Sequence, residues 1–291
     1  MLKGTLTALV TPFTETGEID TKALRKLVNF QIENGVSGLV PCGTTGESPT
    51  LSYEEHNHVI DIVIEEARGR VPIVAGTGSN STQEAIFLTQ HSAQAGAQYS
   101  LQVAPYYNKP TQRGFYEHFV AIADSVDIPL IIYNIPGRTG KNIEVETLLR
   151  LAGHKNIVGV KEASGNMAQI MDIISARPEG FTVLSGDDNL TFPIIALGGE
   201  GVISVASNIA PKQVTEMVEC AVGGKWEEAR HHHYGLLSLF KALFIETNPI
   251  PIKTALAMRG LIKEVFRSPM CAMEPENRAE LRRVLKDQNL L

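Results

Sequence analysis

The chain has 291 residues, 43% of them hydrophobic and 20% charged, which is the composition of a soluble globular protein with a large core. A formal net charge of -6 argues against a nucleic-acid footprint, which needs a basic face. No apolar run reaches the roughly 18 residues of a membrane span, and MLKGTLTALVTPF, interrupted by Pro12, lacks a signal-peptide pattern.

In chain order, short apolar runs recur: LTALV (6–10), GLVPC (38–42), VPIVAG (71–76), SLQVAP (100–105), IPLIIYN (128–134), IVGVK (157–161), FTVLSG (181–186) and GVISV (201–205). Most are continuous rather than alternating, as expected of parallel strands buried on both faces. Helical patterns lie between them. Asp20 caps a helix carrying Leu24, Leu27 and Val28 that stops at Gly35. Ser52 with Glu55, and Ser81 with Glu84, form capping-box patterns for helices ending near Gly69 and Gly96. Eight such units predict a (β/α)8 TIM barrel. The rival is a doubly wound open sheet. It lacks support, because GTGSNS (76–81) misses the last glycine of a dinucleotide fingerprint and has no convincing acidic partner.

After residue 210 the strand signals stop. Helical segments are predicted at 212–222, 225–245 and 250–290, the last broken by Pro269 and Pro275. The expected organisation is a barrel over 1–222 and a C-terminal helical extension, 223–291, packed on it.

In a barrel the chemistry lies where strands end. Those places read TPF (11–13), GTTGES (43–48), GTGSNS (76–81), PYYNKPT (105–111), YNIPGRT (133–139), KEASG (161–165), SGDD (185–188) and SVASN (204–208). Lys161 closes the sixth strand, and Tyr133 the fifth beside it. A strand-end lysine taken alone is most simply one that buries its stem and keeps its charge in water. In a partly apolar pocket, however, its pKa falls and the neutral amine attacks a carbonyl. A ketone then gives an imine that acidifies the adjacent carbon, and the resulting enamine attacks an aldehyde. Tyr133 fits the proton shuttle this chemistry needs, Thr44 a hydroxyl relay, and Arg138 a bidentate clamp for a carboxylate.

The motifs GTTGE, PYYNKPTQRG, YNIPGRT, GVKEASG, SGDD and ETNPIPIK together resemble the dihydrodipicolinate synthase family of pyruvate-dependent class I aldolases, over essentially the whole chain. The resemblance implies condensation of pyruvate with L-aspartate 4-semialdehyde to 4-hydroxy-tetrahydrodipicolinate, in the diaminopimelate route to lysine. It implies no cofactor beyond the covalent imine of pyruvate with Lys161. Tyr133 is implied as the acid/base, joined through Thr44 to Tyr107 of a neighbouring subunit. Thr45 is implied to hold the pyruvate carboxylate and Arg138 the carboxylate of the aldehyde. Gly186 and Ile203 are implied to line the pocket. A homotetramer, built as a dimer of dimers, is implied as well. L-lysine is implied as a feedback inhibitor at Ser48, His56, Asn80, Glu84 and Tyr106, although Pro49 and Tyr53 depart from the alanine and histidine common there. Sugar-acid aldolases of the same superfamily share the lysine and tyrosine but generally lack the arginine of PGRT, so Arg138 favours the synthase. A non-catalytic keto-acid-binding barrel would require loss of one of these residues.

Other features carry less. His231, His232 and His233 are consecutive in a helical pattern, so they cannot easily share one metal. No HExxH motif or Cys/His cluster occurs, and no catalytic metal is expected. Cys42, Cys220 and Cys271 form no disulfide framework, which suits a reducing cytoplasm. Cys42, ahead of GTTGE, reads as a buried, inert thiol.

Overall fold

Each apolar run becomes a parallel strand because both of its faces are covered. The computed structural model describes residues 2–291. Its strands are β1 (Gly4–Ala8), β2 (Gly38–Val40), β3 (Val74–Gly76), β4 (Tyr99–Val103), β5 (Leu130–Asn134), β6 (Ile157–Glu162), β7 (Thr182–Ser185) and β8 (Gly201–Ser204). Between them run α1 (Thr21–Glu33), α2 (Tyr53–Ala67), α3 (Thr82–Ala95), α4 (Gln112–Asp124), α5 (Pro136–Thr139), α6 (Val145–Ala152), α7 (Met167–Ala176) and α8 (Thr191–Ala196). After β8 follow α9 (Pro211–Val222), α10 (Trp226–Ala242), α11 (Ile250–Met258) and α12 (Pro275–Asp287).

The strands pair in the order β2-β1-β8-β7-β6-β5-β4-β3, all parallel. The two ends meet through a parallel bridge from Leu39 to Ile73 and through the Leu39 N–H, which donates to the Pro72 carbonyl at 3.1 Å. This closes the barrel predicted from the sequence.

Alternation along each strand builds two layers. On β5, Ile131 and Tyr133 face inward, in a cluster with Leu6, Leu101, Leu184 and Ile203. Leu130 and Ile132 face outward against Phe115, Phe119, Leu148 and Ile173 of the surrounding helices. The side chains of α10, α11 and α12, among them Leu239, Leu256 and Leu285, share one apolar cluster with Leu27 of α1, Val63 of α2 and Met217 of α9.

The helix starts follow local chemistry. The Asp20 carboxylate accepts the Ala23 N–H at 2.9 Å, and Ser52 with Glu55 forms the reciprocal box expected. At α3 only half of the predicted box exists. The Ser81 hydroxyl accepts the Glu84 N–H at 3.4 Å, but the Glu84 carboxylate turns to the Ser79 hydroxyl at 2.5 Å. Pro275 starts α12 rather than breaking it, because the first helical turn has no use for the missing N–H. In α10, His233 is buried among Phe192, Tyr234 and Phe240 while His231 is exposed, so the three histidines separate as their spacing predicts.

Candidate active site

Tyr133 and Lys161 are register partners across β5 and β6, so the pleat sends both side chains into the barrel mouth. The Lys161 Nζ lies 4.1 Å from the centre of the Tyr133 ring. Both open onto a cavity of about 240 Å³ whose lining includes Thr44, Thr45, Arg138, Gly186, Asp187 and Asn248.

Lys161 is only 6% exposed. Burial pushes its pKa down to about 8, with Arg138 acting the same way and Asp187 and Asp188 opposing. At pH 7 about one molecule in ten then carries a neutral amine, against fewer than ~1 in 1,000 for an ordinary lysine. Burial also raises the Tyr133 phenol well above the usual tyrosine range; Asp187 adds to this, while Arg138 and Thr44 oppose it. The phenol therefore keeps its proton and can deliver it to a developing oxyanion.

Gly186 leaves room for the lysine. A Cβ there would stand 3.1 Å from Lys161 Cε and 2.6 Å from Ala163 Cβ. Gly186→Ala is expected to force the lysine stem aside and lower kcat/KM by ~10-fold or more, as overpacking at a reacting centre does. Steady-state kinetics and a thermal melt check this; unchanged kcat/KM in a folded variant would contradict it.

Thr44 and Thr45 lie in the tight turn Thr44–Gly46 after β2. Thr45 is buried, and its hydroxyl accepts from Asn248 Nδ2 at 3.0 Å. Arg138, on α5, donates to the Asn248 carbonyl at 3.0 Å. Asn248 thus joins the two residues expected to hold carboxylates. Sequence reading did not single it out, although it lies in the ETNPIPIK motif, because the tail carried no strand-end signal. Asp187 was also unassigned, although SGDD ends a strand. It lines the cavity, and its pKa is raised by burial against the pull of Lys161. Asp188 is committed elsewhere, accepting from the Ser204 hydroxyl (2.5 Å) and from the Val205 and Ala206 N–H groups (3.0 and 2.9 Å).

Ile203, implied to line the pocket, and Tyr107, implied to serve a neighbouring subunit, both lie outside the cavity of this chain. Ile203 packs in the inner barrel layer with Tyr133, and the lining residue from that strand end is Val205. Ile203 lies two residues before Val205, within β8, and so sits one layer deeper in the barrel. Tyr107 is 89% exposed, with φ of 68°. Cys42 is buried at the cavity wall, and burial pushes its thiol pKa up, which leaves it un-ionised.

The residues implied for lysine binding fall into three groups. Ser48, Pro49 and Tyr106 line the cavity. Glu84, Asn80 and Tyr53 gather around Tyr106: Asn80 Nδ2 donates to the Tyr106 carbonyl at 3.2 Å, and burial and Glu84 both raise the Tyr106 phenol. Glu84 likewise raises Tyr53. His56 does not reach the cavity. It is 4% exposed, its Nε2 pairs with the Gly76 carbonyl at 2.8 Å, and burial lowers its pKa, which keeps it neutral.

Among the described residues, no three His, Cys, Asp or Glu side chains gather as metal ligands would, and no helix is long and apolar enough to cross a membrane.

A model of the Dihydrodipicolinate synthetase family matches residues 1–288. The chain belongs to this family. It is 55% identical over 291 residues, all of both chains, to the 4-hydroxy-tetrahydrodipicolinate synthase of Syntrophus aciditrophicus (strain SB). Among solved structures it is similar to the chloride-inhibited dihydrodipicolinate synthase of Acinetobacter baumannii complexed with pyruvate (44% identity, TM-score 0.98, all of both chains). It is also similar to the enzyme of Cyanidioschyzon merolae with lysine bound (43% identity, TM-score 0.97, 99% of both chains). Family membership agrees with the resemblance drawn from the motifs and favours it over the sugar-acid aldolase and the binding-only barrel.

Proposed function

We propose that the chain condenses pyruvate with L-aspartate 4-semialdehyde to 4-hydroxy-tetrahydrodipicolinate. The observation that carries this reading is the buried Lys161 amine, held at a pKa of about 8 against the ring of its register partner Tyr133. The neutral amine attacks C2 of pyruvate, and the adduct loses water to give a protonated imine. Loss of a C3 proton gives the enamine, which attacks the aldehyde carbon. Tyr133 protonates the new alkoxide, with Thr44 beside it to relay the proton. The amino group of the second substrate then displaces Lys161 from C2 and closes the ring, so one water leaves overall.

Thr45 holds the pyruvate carboxylate and Arg138 that of the aldehyde substrate. Gly186 gives space, and Ile203 supports the inner wall. No cofactor takes part beyond the covalent imine. The exposed Tyr107 serves a neighbouring subunit of a homotetramer, where it completes the relay to Thr44. Lysine binds across the dimer interface near Glu84, Asn80, Ser48 and Tyr106, with His56 supporting the site from beneath. The related enzyme solved with lysine bound supports lysine as the ligand. The enzyme works in the cytoplasm, in the route to diaminopimelate and lysine.

The test is a set of aldehydes. Aspartate semialdehyde should turn over, and sugar-acid aldehydes should not. Arg138→Ala is expected to raise KM for aspartate semialdehyde by ~100-fold while imine formation with pyruvate persists, since a charge-assisted bidentate clamp is lost. Efficient use of a sugar-acid aldehyde, or an unchanged KM in Arg138→Ala, would overturn the assignment.

A further inference from the structure

The turn carrying Thr44 and Thr45 is bracketed by two non-glycine residues in the left-handed region, Cys42 (φ 56°) and Glu47 (φ 54°). Such conformations persist only where the surroundings enforce them. At Glu47 the enforcement comes from the far end of the chain. Its carboxylate is buried, pairs with Lys253 Nζ, and accepts the Arg267 backbone N–H at 3.1 Å. Lys253, on α11, has no exposed surface. Its ammonium lies 4.2 Å from the centre of the Phe13 ring, and the Arg267 guanidinium lies 4.5 Å from the same ring. That guanidinium also donates to both Glu55 oxygens (2.5 and 2.6 Å), to the Thr50 carbonyl (2.8 Å) and to the Gly17 carbonyl. The loop after β1, the turn after β2 and the C-terminal segment are thereby tied at one buried point.

We propose that Glu47 and Lys253 are positioning residues: their buried ion pair holds the Thr44–Thr45 turn in the geometry that receives the pyruvate carboxylate and faces Tyr133. The C-terminal helices are then part of the catalytic apparatus, through Lys253 at the turn and Asn248 at Thr45. The proposal rests on the reading that pyruvate forms its imine at Lys161 beside this turn.

The bland alternative is that the pair only stabilises the fold. Breaking a buried pair strands a charge, whereas replacing both partners by apolar groups is often neutral or stabilising. The double variant Glu47→Leu/Lys253→Met separates the two roles. A purely structural pair predicts that the double variant recovers the melting temperature that Lys253→Met alone loses, and recovers activity with it. A positioning pair predicts recovery of the melting temperature only. KM for pyruvate then stays raised by ~10-fold or more, and borohydride trapping at Lys161 stays slow, because small misplacements of a binding group carry such penalties. The pH midpoint of trapping should not move.

A double variant with wild-type KM and trapping rate would overturn the proposal. If that variant does not fold, Glu47→Gln keeps the shape and removes the charge. It should raise KM for pyruvate by roughly 5-fold with kcat less affected, and a wild-type KM there would count equally against the proposal. Absence of any imine in the wild-type protein would instead defeat the underlying reading.

Discussion

Lys161→Met is expected to abolish turnover, by at least ~10⁴-fold, and to stabilise the fold at pH 7. Loss of activity follows because no other side chain lining the cavity is an amine, and no covalent route remains without one. The gain in stability follows from burial. Holding a lysine at about 8 instead of near 10.5 costs the folded state about 3 kcal/mol below pH 8. The sign is set by which state binds the proton. Between pH 8 and 10.5 the unfolded chain is protonated and the folded chain is not, so wild-type stability rises with pH through that window. Below it both states are protonated, and the folded state bears the full penalty. Methionine fills a similar volume without the charge. Denaturant melts at pH 7 and pH 10 should show the variant's advantage shrinking as pH rises. An advantage that is absent at pH 7, or that grows with pH, would show that the lysine is not held desolvated.

Tyr133→Phe is the second large effect. The ring beside Lys161 stays, so the imine with pyruvate should still form and still be trapped by borohydride. The proton donor is lost, so kcat should fall by ~10²–10³-fold, the usual scale for a positioned acid/base. A parallel loss of trapping would mean that the phenol serves imine formation itself. An unaltered kcat would remove it from proton transfer altogether.

Much of this was legible in the chain. Continuous apolar runs reveal the barrel strands because burial on both faces leaves no alternation to obscure them. Lys161 and Tyr133 stand out because each ends such a run, and the parity of side chains along neighbouring parallel strands then fixes their common direction. Asp20 and Ser52 are readable as caps because their partners lie within one helical turn. What escaped depends on distance in sequence. Asn248 and Lys253 act on Thr45 and Glu47 from more than 200 residues away, and no local pattern reports such a bond. Glu84 fits a capping box as well by spacing as Glu55 does, yet the nearby Ser79 hydroxyl captures its carboxylate. Ile203 lies one layer deeper than a lining residue because register decides depth, and register belongs to the assembled barrel. Tyr107 shows only its exposure within one chain; any role across subunits lies in the assembly.

The most direct measurement is intact-mass analysis after incubation with pyruvate and borohydride at a series of pH values, followed by peptide mapping. The account predicts one reduced pyruvyl adduct per chain, on Lys161, with an initial rate that rises to a plateau through about pH 8. No adduct under conditions that label a known class I aldolase, or an adduct mapped to another lysine, would contradict it.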